Sequence, residues 1–230
     1  MHNKSPSEYF VKMNFSQQQL GAMRELFNRY FLPLLKDFQY VGHGISVAWR
    51  GLENSQNQHE VFNDSFTSNE AQLGFNLTED VSLDPLWKEF NNLHYYMQRD
   101  ATISVMPPMT VMCPHVDRPW RASAIYFPIS GCTTNCFSDC YDLPKLNHGN
   151  PTKRLATKDP HWPLYSYNIV GDAYMMNTQE WHGVRNYSRQ TRIVIGWNCS
   201  GPGDGDGTGD RMLTFAQQRD IFAGMGYVNK

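Results

Sequence analysis

Two side chains of metal-ligand type stand two positions apart in CPHVDRPWR, residues 113–121: the imidazole of His115 and the carboxylate of Asp117. In an extended chain alternate side chains project from one face, so these two point the same way, with Cα atoms roughly 6 to 7 Å apart. One ion can bridge them. An imidazole and a carboxylate together suit Fe(II), Mn(II) or Zn(II) rather than Cu(I). Such pairs are common by chance, and a site needs a further ligand from a distant part of the chain. His182 is the candidate, 67 positions further on, behind the run AYMMN and a polar turn. That interval leaves room for several strands. Ten positions later again, Arg192 is the second residue of the run TRIVIGW.

This order of residues resembles the Fe(II)/2-oxoglutarate-dependent oxygenase superfamily: His-x-Asp, some tens of residues, a distal His, then an Arg about ten positions on. The stretch GDAYMMNTQEWHGVRN, with its prolyl- and aspartyl-hydroxylase flavour, extends the likeness, which covers about residues 100–200. In that superfamily two His and one Asp form a facial triad that leaves three coordination positions open. The 2-oxo group and C1 carboxylate of 2-oxoglutarate take two of them, and O2 takes the third. The resemblance implies that His115, Asp117 and His182 are the iron ligands and that Arg192 meets the far carboxylate of the cosubstrate. Arginine suits that role because its planar fork binds a carboxylate bidentately. Arg185 and Arg189 fall in RNYSRQ, which reads as a solvated turn. Where some subfamilies carry Ser or Thr two residues beyond the arginine, this chain has Val194. Other donors must then complete the cosubstrate pocket, and Ser123 and Tyr126 are the candidates, against ordinary strand roles for both. Arg121, Trp120 and Trp181 flank the ligands and are candidates for substrate or cosubstrate contact. A rim ion pair and ring packing under a lid are the plainer readings of these three.

Elements must bring these residues together. In SQQQLGAMRELFNRYF, Ser16 and Gln19 have capping-box spacing, and Leu20, Met23, Phe27, Tyr30, Phe31 and Leu34 recur at helical intervals, with Pro33 kinking or ending the helix. A second helix is expected after Ser82, with Pro85 in its first turn and Leu86, Phe90, Leu93 and Met97 along one stripe. Between them ISVAW alternates like a half-buried strand. From about residue 101 the texture changes to short β-favouring runs, TISVM, TVMC, ASAIYFPIS, YNIV, DAYMMN and TRIVIGWNC, broken by Pro, Gly and Asn. Thr214 and Gln217 suggest a short terminal helix. Residues 51–80 and 141–163 read as long loops able to form a lid.

The chain has 230 residues and a net charge of -2, enough length for one substantial core and no field to draw nucleic acid or an anionic membrane. No apolar run is long enough to span a bilayer, and five cysteines without a secretory signal fit reduced thiols in a cytoplasmic protein. Cys132, Cys136 and Cys140 lie four apart, which matches neither a zinc ribbon nor an iron-sulfur run, so they read as loop thiols. The segment from Asp204 to Gly209 copies the start of a calcium loop, but its twelfth position is Phe215 where a bidentate Glu is needed. It reads as a flexible acidic loop.

The expectation is therefore one oxygenase domain over residues 1–230, mainly β (α+β): a double-stranded β-helix, that is, a cupin-like jelly-roll barrel buttressed by N-terminal helices. Helical support is expected over about 1–100, the barrel over about 101–200, and a loop with a short helix over 201–230. The implied activity is hydroxylation of an unactivated C–H bond in a peptidyl or free amino acid or a small metabolite, using Fe(II), 2-oxoglutarate and O2, with succinate as co-product. Two alternatives keep the barrel: a cupin-type metalloenzyme that does not use 2-oxoglutarate, and a jelly-roll binding module without catalysis.

Overall fold

The computed structural model describes residues 4–32, 38–41, 46–49, 71–76, 97–106, 108–117, 122–143, 162–168, 170–199 and 213–229. Two helices carry the expected caps. Helix α1, Gln17–Leu26, begins at Ser16, whose hydroxyl accepts from the Gln19 backbone while Gln19 Oε1 accepts from the Ser16 backbone. It passes into one wider turn of π geometry, Phe27–Phe31, just ahead of Pro33. Helix α2, Phe215–Gly224, has the same reciprocal cap between Thr214 and Gln217.

Twelve described strands follow the chain: β1 Phe10–Lys12, β2 Phe38–Val41, β3 Ser46–Trp49, β4 Ala71–Asn76, β5 Met97–Met106, β6 Thr110–His115, β7 Ser123–Ser130, β8 Cys136–Cys140, β9 Tyr165–Asn168, β10 Tyr174–Asn177, β11 His182–Asn186 and β12 Arg192–Cys199. They form a six-stranded sheet in the order β1-β10-β7-β12-β5-β4, a four-stranded sheet in the order β6-β11-β8-β9, and a β2-β3 pair. Every pairing is antiparallel. From β5 to β12 the chain passes back and forth between the two larger sheets, with only β8 and β9 consecutive in one of them. That strand order is a double-stranded β-helix.

Period-two alternation sorts side chains between the outer and inner faces of the large sheet. Ile125, Phe127, Met175 and Ile195 turn outward and pack on Leu20, Met23, Leu26 and Phe27 of α1 and on Phe215 and Phe222 of α2. Each such buried side chain contributes roughly 1.5 to 3 kcal/mol. The intervening residues face the second sheet, where Tyr174, Met176 and Cys140 form an inner cluster with Tyr126 and Tyr167.

The structure moves several boundaries. The buttress comes from both ends of the chain, because α2 packs beside α1 in one core. Met97 opens strand β5, whereas the helical stripe expected after Ser82 had included it; the rest of that stripe lies outside the described residues. Strands β1 and β4 extend the large sheet with residues from the first hundred, and Ala71–Asn76 is therefore strand where a lid loop was expected. The strand expected at YNIV is centred two residues earlier, at Tyr165–Asn168. Among the described residues, no helix is long and apolar enough to cross a membrane.

Candidate metal centre

His115 ends β6 and His182 begins β11, and the two are paired across the ladder between these strands. Their rings lie 4.3 Å apart, centroid to centroid. Asp117 sits just beyond β6, where its backbone N–H donates to the Thr178 carbonyl at 3.0 Å and ties it to the turn before His182. The Thr178 N–H in turn donates to Ala122 at 3.4 Å. Asp117 Oδ1 is 3.7 Å from His115 Nε2, and its Oδ2 is 3.9 Å from His182 Nε2. Both histidines are buried, at 7% and 2% exposure, and the aspartate side chain is 13% exposed.

The tautomer of His182 follows from its neighbour. Its Nδ1 lies 2.9 Å from the Glu180 carbonyl, which can only accept, so Nδ1 carries a proton and Nε2 is the nitrogen turned toward Asp117. One ligand atom from each of the three residues falls within 4.8 Å of the others. Ligands about 2.1 Å from a shared ion stand roughly 3.0 to 3.5 Å apart. Small side-chain rotations close the difference. Two neutral imidazoles and one carboxylate fit a single divalent ion.

No protein-family model matches this chain, and no curated protein does. Among solved structures it is similar to the non-heme alpha-ketoglutarate-dependent carbocyclase SnoK from nogalamycin biosynthesis, with TM-score 0.44, 12% identity and 92% of each chain covered. It is also similar to ycfD of E. coli, with TM-score 0.43 and 14% identity over 74% of this chain and 42% of that one. A cupin domain from Bordetella pertussis Tohama I gives TM-score 0.28 and 13% identity over 44% of this chain and 79% of that one. This chain thus spans less than half the length of ycfD. Likenesses at this level say nothing of chemistry, and the fold stands on the strand order above.

Arg192 opens β12 and is 1% exposed. Ile193 and Ile195 pack with the helices, so Arg192 faces the interior by alternation. Directly opposite it in the ladder stands Met106, which packs on Val184 of β11, two residues beyond His182. The guanidinium is close enough to Tyr174 and Cys132 to oppose, in part, the upward push that burial gives both of their pKa values. Tyr174 also exchanges a 2.7 Å hydrogen bond with Ser138 of β8. Neither residue stood out in the sequence. The alternation that turns Met176 inward does the same for Tyr174, and this was the available signal.

The other candidates divide. Tyr126 faces inward and stacks on Tyr174 at 5.2 Å between centroids. Ser123 does not reach the interior: its hydroxyl donates to Gln218 Oε1 of α2, on the helix-facing side. Strand parity explains the correction, since Ser123 shares its face with Ile125 and Phe127. Trp181 is 3% exposed, a buried ring directly before His182. Trp120 and Arg121 lie outside the described residues, as does the segment Asp204 to Gly209.

Arg185 lies in β11 rather than in a turn. It grips the fully buried Asp139 carboxylate through Nε at 2.5 Å and Nη2 at 2.7 Å, between the rings of Phe137 and Tyr187. Arg189, by contrast, is exposed in the following turn as expected. Cys136 and Cys140 are the ends of β8, not loop thiols, and both are buried. Cys136 Sγ bonds Asn186 Oδ1 at 3.3 Å and Cys140 Sγ bonds the Tyr165 carbonyl at 3.7 Å. Among the described residues, the group able to hold a metal is His115, Asp117 and His182.

Proposed function

We propose that the protein is an Fe(II)- and 2-oxoglutarate-dependent oxygenase that hydroxylates an unactivated C–H bond of a peptidyl or free amino acid or a small metabolite. The observation that carries this reading is the convergence of three ligand atoms within 4.8 Å, with the buried Arg192 facing the same interior. When bound, iron and the keto acid supply the oxidation: one atom of O2 goes to 2-oxoglutarate, which leaves as succinate and carbon dioxide, and the other to the substrate carbon.

The chain's part is to bind, orient and keep water out. His115, Asp117 and His182 would hold the ion through two nitrogens and one oxygen, and a three-ligand set would leave it able to take the keto acid and dioxygen. Arg192 would fix the far carboxylate by a charge-assisted, bidentate contact. Tyr174 keeps its proton, because burial raises its pKa well above 10, and so offers a neutral O–H donor near that arginine. Tyr126 supplies an apolar wall by stacking on it.

Anaerobic addition of Fe(II) and 2-oxoglutarate is the direct test. A metal-to-ligand charge-transfer band should appear in the parent protein and be lost in His182→Ala. Arg192→Ala should keep the metal and weaken 2-oxoglutarate by about 2 to 3 kcal/mol, roughly a hundredfold. A protein that binds Fe(II) but shows neither the band nor succinate release is a metalloenzyme that does not use the keto acid. Absence of Fe(II) binding removes the oxygenase reading.

A further inference from the structure

His182 stands at the very start of its strand. It is the first residue of β11: the ladder with β8 runs unbroken from Cys140 opposite it, but the register with β6 slips between His182 and Val184. Its ring orientation depends on the Glu180 carbonyl, in the turn between β10 and β11. The outer side of that turn borders a cavity of about 360 Å³ whose lining includes Lys4 and Glu8 as well as Asn177, Gln179, Glu180 and Arg219. None of the three ligand residues lines it. Close packing therefore does not hold the turn from outside.

Polar contacts from the N-terminal segment do. The Asn177 N–H donates to the Tyr9 carbonyl at 2.8 Å, and Asn177 Nδ2 donates to the Glu8 carbonyl at 3.0 Å. At the other end of the turn, Lys4 Nζ lies 2.6 Å from Glu180 Oε1, with the two side chains only 23% and 16% exposed. Lys4 is itself anchored, because its carbonyl accepts from the Tyr165 hydroxyl at 2.9 Å. One short segment thus grips both ends of the turn that presents the distal histidine.

We propose that residues 4–9 form a clamp for the metal centre, and that Lys4 is a positioning residue that holds His182 through Glu180. The inference rests on the proposed function only in that the three ligands bind a divalent ion. Restrained screening gives the pair more than the small value of an exposed ion pair. Partners that orient a metal-bound histidine are worth about tenfold or more in affinity.

The test is titration of the full chain with Co(II) alone, followed by absorbance, beside chemical denaturation of the metal-free protein. Lys4→Met keeps the apolar stem and removes the charge, and should weaken Co(II) severalfold, up to the roughly tenfold that a direct partner of a metal-bound histidine is worth. The double reversal, Lys4→Glu with Glu180→Lys, should bring affinity back toward the parent value. Glu180→Gln provides the same comparison should Lys4→Met fail to fold. Unchanged affinity in the single variants overturns the clamp. So does a loss that merely tracks the denaturation midpoint and is not rescued by reversal. A parent protein that binds no Co(II) overturns the metal centre itself, a separate outcome.

Discussion

The proton on His182 Nδ1 is held by a backbone carbonyl, while Asp117 is the residue that touches both histidines. These contacts make unequal demands on substitution. Asp117→Ala removes the charge that offsets a divalent cation, and isothermal titration should show no Mn(II) binding where the parent saturates. Two thiols, one half-buried and one buried, give a second expectation at this scale. Burial pushes Cys132 up to about 11 and Cys140 up to about 12. The thiolate is the reactive form, so the native protein at pH 8 should leave both thiols unalkylated, as mass spectrometry would show, and label them only once denatured.

Arg192 is aimed by an unusual contact between elements. Gly131, in the turn after β7, has φ +64°, and a Cβ placed on it would stand 1.9 Å from the Thr191 carbonyl oxygen and 3.2 Å from the Arg192 Cα. Both the left-handed backbone and the close approach exclude a side chain. Gly131→Ala should therefore cost at least about 2 kcal/mol in urea denaturation and weaken 2-oxoglutarate more than Fe(II), because it displaces the start of β12. On the second sheet, Arg185→Leu strands the buried Asp139 carboxylate, and a loss of about 3 to 5 kcal/mol is expected by the same measurement.

For the molecule as a whole, the raised thiol pKa values give stability a direction with pH. The folded state binds the thiol protons of Cys132 and Cys140 more tightly than the unfolded chain, whose thiols titrate near 9. Their contribution is complete below pH 9 and is lost as pH rises toward 11 to 12. Urea midpoints should fall over that window, and a Cys132→Ala, Cys140→Ala variant should show a shallower fall.

Much of the fold was legible because local rules coincided with tertiary ones. The Ser16–Gln19 and Thr214–Gln217 caps and most of the β-runs after residue 101 form where their residue types place them. His115, Asp117 and His182 were legible as ligand types at telling intervals. What periodicity could not assign was parity and partnership. Ser123 and Tyr126 both read as strand donors, yet only alternation against α2 decided that one serves a helix and the other the interior. Arg185 looked solvated because its partner Asp139 lies 46 positions away in another strand. The sequence by itself determined which chemical groups are present and where the chain extends or coils, since those depend on neighbours a few residues apart. Only the tertiary structure decided which groups meet, because the pairing of β6 with β11 and the grip of residues 4–9 on the turn before His182 are contacts between segments that no local pattern links.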